Sequence, residues 1–402
     1  MNGTPSLSQA GPAVPRKIRL LYVLNTLAIG GAEQLISLIA GRLPADRFHV
    51  IVCTLFSRGE QPEPLADELR AAGIRTVQLA MTRWRDLTTI RQFWTLIKEE
   101  RIDIIHTHTV PADFWGALLT KLTQPIPILY TRHDVMDRRG LIMRAQRLIL
   151  DHVLADKITS ISDVVTRYLT SVRKIPMDRI VQIPNPVDTE RFHPRVSGAA
   201  VRHELGIPPD AVVIGNVSRF EKRKGYDYFL DIAATMVPKH PQLYFLMVGH
   251  GVEKEHLVGR IAAANLGKRV FLTDPRRDIP EVLSAMDCFL FLSLWGEGFG
   301  IAVIEAMAAG KPVVAANTGP AGELLRDGVT GFLPAPEVWV PETERLDIRP
   351  IVTCLNQLIA DPARRSQIGL NAREATIVRF SLPVVLARTQ TLYESIYREF
   401  YG

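Results

Sequence analysis

The chain has few cysteines, no long apolar run and no strong excess of either charge, and each shortage closes off a class of protein. Its three cysteines (Cys53, Cys288, Cys354) stand far apart, each in an apolar stretch. Neither a disulfide framework nor a zinc site is expected from them, and they read as buried free thiols of a reducing compartment. The longest apolar run, around Cys288–Leu292, is interrupted by Asp287 and Ser293. It stops well short of the roughly 20 residues that a membrane-spanning helix needs. Lys plus Arg number 48 against 42 Asp plus Glu, a formal net charge of +6. So mild an excess suits phosphate-bearing ligands or an anionic membrane surface, and it falls short of a nucleic-acid footprint.

Two motifs are missing as well. No D-x-D triplet occurs, so a metal-clamped diphosphate has no obvious ligand pair; no metal and no resident cofactor are expected. The G-x-G-x-x-G dinucleotide fingerprint is absent too, which disfavours a nicotinamide-dependent oxidoreductase. Residues 1–15, rich in Gly, Ser and Pro, lack a basic head followed by an apolar stretch. They read as a loose tail rather than a signal peptide, and a cytoplasmic protein is expected.

What is present is a globular composition, 47% apolar and 22% charged over 402 residues, enough for two ordinary domains with a core each. Short apolar runs at 18–25, 48–55, 76–80, 102–108, 127–133, 158–162 and 180–185 alternate with segments of helical period, such as 111–122 and 141–155. Their β-branched residues are nearly continuous, as strands covered on both faces require, and the rhythm implies a parallel sheet between helices. The rhythm pauses at the proline-bracketed stretch 183–199 and restarts with runs at 211–218, 243–249, 270–273, 288–293 and 312–316. The expected architecture is α/β, two Rossmann-like doubly wound domains facing a deep cleft, over 16–188 and 189–380. A helix over 381–402 is expected to pack back on the first domain.

In SLWGEGFGIAVIEAMAAGKP (293–312) a strand ends at Ser293 and a turn carries Gly296, Gly298 and Gly300. A helix then opens near Ile301 and closes at Gly310. Free N–H groups at such a start attract a phosphate. Glu297 and Glu305, seven residues between them, can accept hydroxyl protons from a polyol lying along it. The bland alternative is a dipole-complementing acid and an exposed helical glutamate. In GNVSRFEKRKGYDYFL (215–230), Arg219 and Lys224 flank a strand-to-helix loop, where two cations can neutralise a diphosphate leaving group. Lys222 and Arg223 read as a solvated basic edge. Gly30 and Gly31 follow the first strand and permit close backbone approach to a ligand, or simply make a tight turn. His106 and His108 share one strand face, but no third residue has metal-ligand spacing. His133, at a strand's carboxyl end, is the better candidate for touching a substrate.

These motifs, GGAE (30–33), His133, PNPVD (184–188), Arg219 with Lys224-Gly225, MVGHG (247–251), E-x7-E and GELLRDGVTGFL (322–333), occur together in an order that resembles the family-4 retaining glycosyltransferases of GT-B fold. The resemblance runs from about Ile18 to Phe400. It implies that Arg219 and Lys224 hold a donor diphosphate and that Glu297 binds hydroxyls of the transferred sugar. Glu305 would hold the ribose, and the amides around Phe299, Gly300 and Ile301 the phosphate or sugar. Gly30 and Gly31 would close over the phosphates, and His133 would touch the donor sugar. The implied donor is a UDP- or GDP-sugar and the acceptor a saccharide or lipid-linked saccharide, joined without a metal. His250 and LTDPRRD (272–278) depart from the family's usual residues near the base.

Two other readings stay open: a different sugar-nucleotide enzyme such as an epimerase, and a non-catalytic nucleotide- or glycan-binding protein on the same scaffold. The segment 136–157 sets Leu141, Ile142, Leu148, Ile149 and Val153 beside Arg138, Arg139, Arg144 and Arg147. It reads as a core-facing helix with a basic edge, or as a contact with the inner face of a membrane.

Overall fold

The computed structural model describes residues 16–28, 30–56, 63–81, 86–109, 111–136, 140–334, 339–340 and 345–402. Among the described residues thirteen strands form two sheets; twelve of them fall on the apolar runs, and the two-residue strand Gly331–Phe332 has no counterpart among those runs. The first sheet holds β1 (Ile18–Leu24), β2 (Phe48–Phe56), β3 (Arg75–Met81), β4 (Ile104–Thr107), β5 (Ile128–Arg132), β6 (Lys157–Ser160) and β7 (Ile180–Gln182), in the order β3-β2-β1-β4-β5-β6-β7. The second holds β8 (Val212–Val217), β9 (Leu243–Val248), β10 (Val270–Thr273), β11 (Cys288–Phe291), β12 (Val313–Ala315) and β13 (Gly331–Phe332), in the order β10-β9-β8-β11-β12-β13. Every pairing in the second sheet is parallel, as are β1 with β2 and β4 in the first. A further antiparallel pair, β14 (Trp339–Val340) with β15 (Arg345–Leu346), has no counterpart in the sequence reading.

Parallel sheets need cover on both faces, and the burial follows. β4, β5 and β11 are buried at every position. One core gathers Leu21, Val23, Ile51, Cys53, Phe93 and Ile105; another gathers Ile214, Phe229, Phe245, Leu290, Val314 and Leu355. Both sheets reverse their strand order once, at β1/β4 and at β8/β11. In doubly wound sheets ligands bind beyond the carboxyl ends of the strands at such a reversal.

The chain packs as two compact units. One comprises residues to Tyr130 with Gln146–Lys157 and Arg388–Gly402; the other comprises Thr131–Ala145 and Ile158–Ala387. This division departs from the expected break near Asp188, because Ser162 and Asp163 bond to Gly298 and Glu323 within the second unit. The final helix (Leu382–Tyr401) belongs to the first unit from Arg388 onward, and there it brings Tyr393 against the sheet, where its hydroxyl meets Tyr22 and His106 Nδ1. His106 and His108 pack at 3.9 Å between ring centres, His108 stacked on Tyr22. That histidine pair is packed into the core.

The 141–155 reading is corrected in two ways. The α-helix covers Leu141–Ile149 and continues as a π-turn over Leu150–Leu154. The core-facing alternative fails for the α-helical part: no residue of it is buried, with Leu141 85% and Ile142 76% exposed. Arg147 is not part of an open basic edge. It pairs with the buried Asp113 at 3.7 Å and lies over the Tyr130 ring. Arg138 and Arg139 lie outside the described residues.

Candidate functional site

The reversal of the second sheet builds this site. β8 and β11 are hydrogen-bonded neighbours, so the loops leaving their carboxyl ends, 218–225 and 292–300, start side by side. Between them Gly225 closes the gap. It is left-handed (φ +69°) and a Cβ there would stand 2.3 Å from the Leu292 carbonyl oxygen, so only glycine fits on both counts. It caps the helix Tyr226–Met236, and the short 3-10 turn Lys222–Lys224 just before it aims Lys224 across to the second loop.

There Lys224 Nζ donates to Glu297 Oε2 in a short ion pair, and Ser293 Oγ donates to the same oxygen at 3.2 Å. Both charged side chains are largely buried, 11% and 17% exposed. Burial pushes the Glu297 carboxyl up, but the charge and hydrogen bond of Lys224, with Arg223 and Ser293, outweigh it and hold the group below its ordinary value. Burial lowers the Lys224 ammonium, which Glu297 only partly offsets. This pair is the charged centre of the site.

Arg223 is where the sequence reading goes wrong. It is not a solvated cation. Only 15% exposed, it pairs with Glu221 at 2.7 Å. Its carbonyl accepts from Leu294 N at 2.7 Å, and its Nη1 reaches the Gly296 carbonyl. Thr318 Oγ1 donates to the Ser293 carbonyl. The loop that carries Glu297 is thus held from both sides by the protein's own groups. Arg219 remains half exposed, paired with Glu221 at 2.6 Å.

Beyond the loop, the helix Ile301–Ala308 begins at Gly300, which offers no side-chain cap. The first N–H groups of this helix, with those of Phe299 and Gly300, are the donors that such a start leaves open. Glu305 stands on the same helix, and burial raises its carboxyl to about 7, with Arg191 pulling the other way. His133 comes to the loop through its backbone: a Cβ on Gly298 would lie 2.3 Å from the His133 carbonyl oxygen. Its imidazole is lowered to about 4, chiefly by burial, with Asp134 opposing and Arg132 reinforcing. It is therefore neutral near pH 7, a hydrogen-bonding group rather than a charge.

The structure brings together Lys224, Glu297, Phe299, Gly300, Ile301, Glu305 and His133, with Arg219 on the same loop as Lys224. Gly30 and Gly31 belong to the other unit. Gly30, extended at φ −150°, caps the helix Gly31–Ala40 beyond β1, at the reversal of the first sheet. Among the described residues no group of three or more His, Cys, Asp or Glu side chains could hold a metal ion.

The family profile described as Glycosyl transferases group 1 matches residues 199–375, and that described as Glycosyltransferase Family 4 matches residues 29–191. The chain belongs to the group 1 glycosyltransferases. Among its relatives is the UDP-Gal:alpha-D-GlcNAc-diphosphoundecaprenol alpha-1,3-galactosyltransferase of Escherichia coli, 26% identical over 79% of this chain and 84% of that protein. The D-inositol 3-phosphate glycosyltransferase of Actinosynnema mirum is 27% identical over 62% and 64%. A solved structure of HepE from Anabaena in complex with UDP-glucose superposes with a TM-score of 0.80 at 23% identity, covering 94% of this chain and all of that one. The two sheets are those of a GT-B glycosyltransferase.

Proposed function

We propose that this glycosyltransferase is a retaining enzyme that moves a sugar from a nucleotide-sugar donor, without a metal, to a saccharide or lipid-linked saccharide in glycoconjugate biosynthesis. The buried Lys224–Glu297 pair beside an uncapped helix start is the observation that carries this reading. A cation, open amides and a carboxylate that accepts hydroxyl protons match the diphosphate and the sugar of such a donor. UDP-glucose is held by the HepE neighbour, and a UDP-sugar is named for the Escherichia coli relative.

In the reaction the bond between the anomeric carbon and the diphosphate oxygen breaks, and the acceptor oxygen bonds to that carbon on the same face. The acceptor's proton passes to the departing phosphate oxygen. Arg219, Lys224 and the amides from Phe299 to Ile301 stabilise the charge that gathers on the diphosphate, the kind of contribution that dominates catalysis in many sites. Glu297 is committed to Lys224 and Ser293 and to the sugar's hydroxyls. That leaves it unsuited to act as a nucleophile, which favours a front-face route. Metal independence is supported by the missing D-x-D triplet.

The acceptor side rests on the helix Leu141–Ile149. Its exposed apolar face suits the surface of a membrane that carries a lipid-linked acceptor, such as the relative's diphosphoundecaprenol. No helix among the described residues is long and apolar enough to cross a membrane.

The test is a thermal-shift panel of UDP-, GDP- and ADP-sugars, since a ligand that binds only the folded state raises its stability. Product analysis then follows with and without acceptor, in EDTA. A shift with at least one sugar nucleotide and transfer that survives chelation are expected. Isomerised donor without acceptor would make it an epimerase; binding without turnover would make it a binding protein.

A further inference from the structure

Ser162 is fully buried, caps the five-residue helix Asp163–Arg167 by accepting from Val165 N at 3.1 Å, and spends its own proton elsewhere. Its Oγ donates at 2.6 Å to the carbonyl of Gly298, 136 residues further along the chain. A trans peptide is planar, with its C=O and N–H pointing in opposite directions. The bond that fixes the Gly298 carbonyl toward Ser162 therefore fixes the Phe299 N–H away from it. No acceptor for that N–H occurs among the described residues, although Phe299 is only 2% exposed. Buried backbone donors rarely go unpaired unless a ligand or water takes them.

The corner that holds Ser162 is itself anchored. Asp163 N donates to Glu323 Oε2 at 2.8 Å, and Gln182 Nε2 donates to Glu323 Oε1 at 3.2 Å. On the other side, the His133 carbonyl crowds Gly298 so closely that no side chain fits there. Glycine was needed for this approach, and glycine is also the residue that resists a peptide flip least. A hydroxyl bond is what opposes the flip.

We propose that Ser162 is a positioning residue: its hydroxyl holds the Gly298–Phe299 peptide so that the Phe299 N–H is presented to the donor's diphosphate or transferred sugar. The inference rests on the donor reading above and adds to it a residue outside the glycine loop. Removal of the hydroxyl lets the peptide turn its carbonyl toward the anion, exchanging an attraction for a repulsion.

Three variants separate this role from helix capping. Ser162→Ala removes both the cap and the donor. Ser162→Gly removes the donor while disturbing the cap far less than alanine does, and Ser162→Thr keeps both. Uridine, UDP and UDP-glucose are titrated against each, with GDP and GDP-mannose as the parallel set. In both Ala and Gly variants diphosphate affinity should fall about tenfold while nucleoside affinity holds, and Thr should recover to within about twofold. In protein labelled with 15N-phenylalanine and free of ligand, the Phe299 amide resonance should move in Ala and Gly and stay in Thr. An unmoved Phe299 resonance in Ser162→Gly, or diphosphate binding equal to wild type in that variant, overturns the proposal. A moved resonance in a protein whose wild type binds none of these nucleotides upholds the tether and sinks the donor reading instead.

Discussion

Lys224 and Glu297, 73 residues apart, meet in a largely buried ion pair that joins the loops after β8 and β11. Neither charge has water enough to stand alone there. Removing one partner of a buried pair typically costs about 3–5 kcal/mol, whereas replacing both by neutral groups costs far less. Lys224→Met and Glu297→Gln should each lower the melting temperature by several degrees, and the double variant should recover most of that loss. Transfer activity should fall by at least a hundredfold in all three, because the diphosphate and sugar contacts are gone in each. A double variant as unstable as the sum of the singles would show that the two residues do not act as a pair.

Glu305 gives a pH dependence of opposite sign to Glu297. The Glu297 carboxyl is held low, so its stabilisation is present above the ordinary carboxylate range and is lost as pH falls through the folded value. Burial raises Glu305 from 4.5 to about 7. Its folded state favours the protonated form, and stability declines as pH rises from about 4.5 through 7. Glu305→Gln should flatten that part of the melting-temperature profile and be more stable than wild type at pH 8. If the ionised carboxylate holds the ribose, wild-type affinity for the nucleotide should weaken as pH drops below about 7. The variant should bind about tenfold more weakly at pH 8, without that slope. Parallel pH titrations by calorimetry would reject the ribose role if both proteins showed the same slope.

How much of this was legible beforehand depends on whether the signal is local. β1 reads directly from IRLLYVL, because a doubly covered strand writes its burial as a continuous apolar run. β13 is two residues long, Gly331–Phe332, and holds no period to read. Lys224 and Glu297 each stand in a recognisable motif, yet their pairing follows from β8 lying beside β11, a fact of topology that no periodicity contains. Lys222 and Arg223 are equivalent by composition. The 3-10 turn and the left-handed Gly225 decide that Arg223 turns inward while Lys222 stays exposed. Ser162 closes the apolar run 158–162 in the sequence, and neither its cap on Val165 N nor the carbonyl it serves on another sheet's loop is written in that local pattern.

Tyr393 supplies a control for these arguments, since it is buried in the first unit and takes no part in the donor site. Its hydroxyl joins the Tyr22 hydroxyl to His106 Nδ1, the latter at 2.7 Å. Tyr393→Phe would leave two buried polar groups without their partner, a cost of about 1–3 kcal/mol. The variant should melt several degrees lower and keep kcat and the donor KM within about twofold at 25 °C. A selective loss of kcat with no change in melting temperature would instead move Tyr393 into the catalytic machinery.

The helix Leu141–Ile149 carries an exposed apolar face, with Leu141, Ile142, Leu148 and Ile149 all open, and Val153 70% exposed on the turn that follows. Four apolar side chains in water are costly unless something covers them. Burying each fully is worth about 1.5–3 kcal/mol. Arg144 is exposed beside them, and a basic side chain near an anionic bilayer adds about 1 kcal/mol. Arg147 must be left alone in the test, because its pairing with Asp113 would turn a binding experiment into a folding one. Sedimentation with phosphatidylcholine vesicles containing phosphatidylglycerol should recover wild type in the pellet at low salt and less of it at high salt. Arg144→Gln should lower the partition coefficient about fivefold, and Leu141→Ser with Ile142→Ser should lower it much further while leaving the melting temperature unchanged, since neither residue is part of the core. Equal recovery of all three proteins would remove this helix from the account, and failure of wild type to pellet with any vesicle would remove the membrane and point to an acceptor taken from solution.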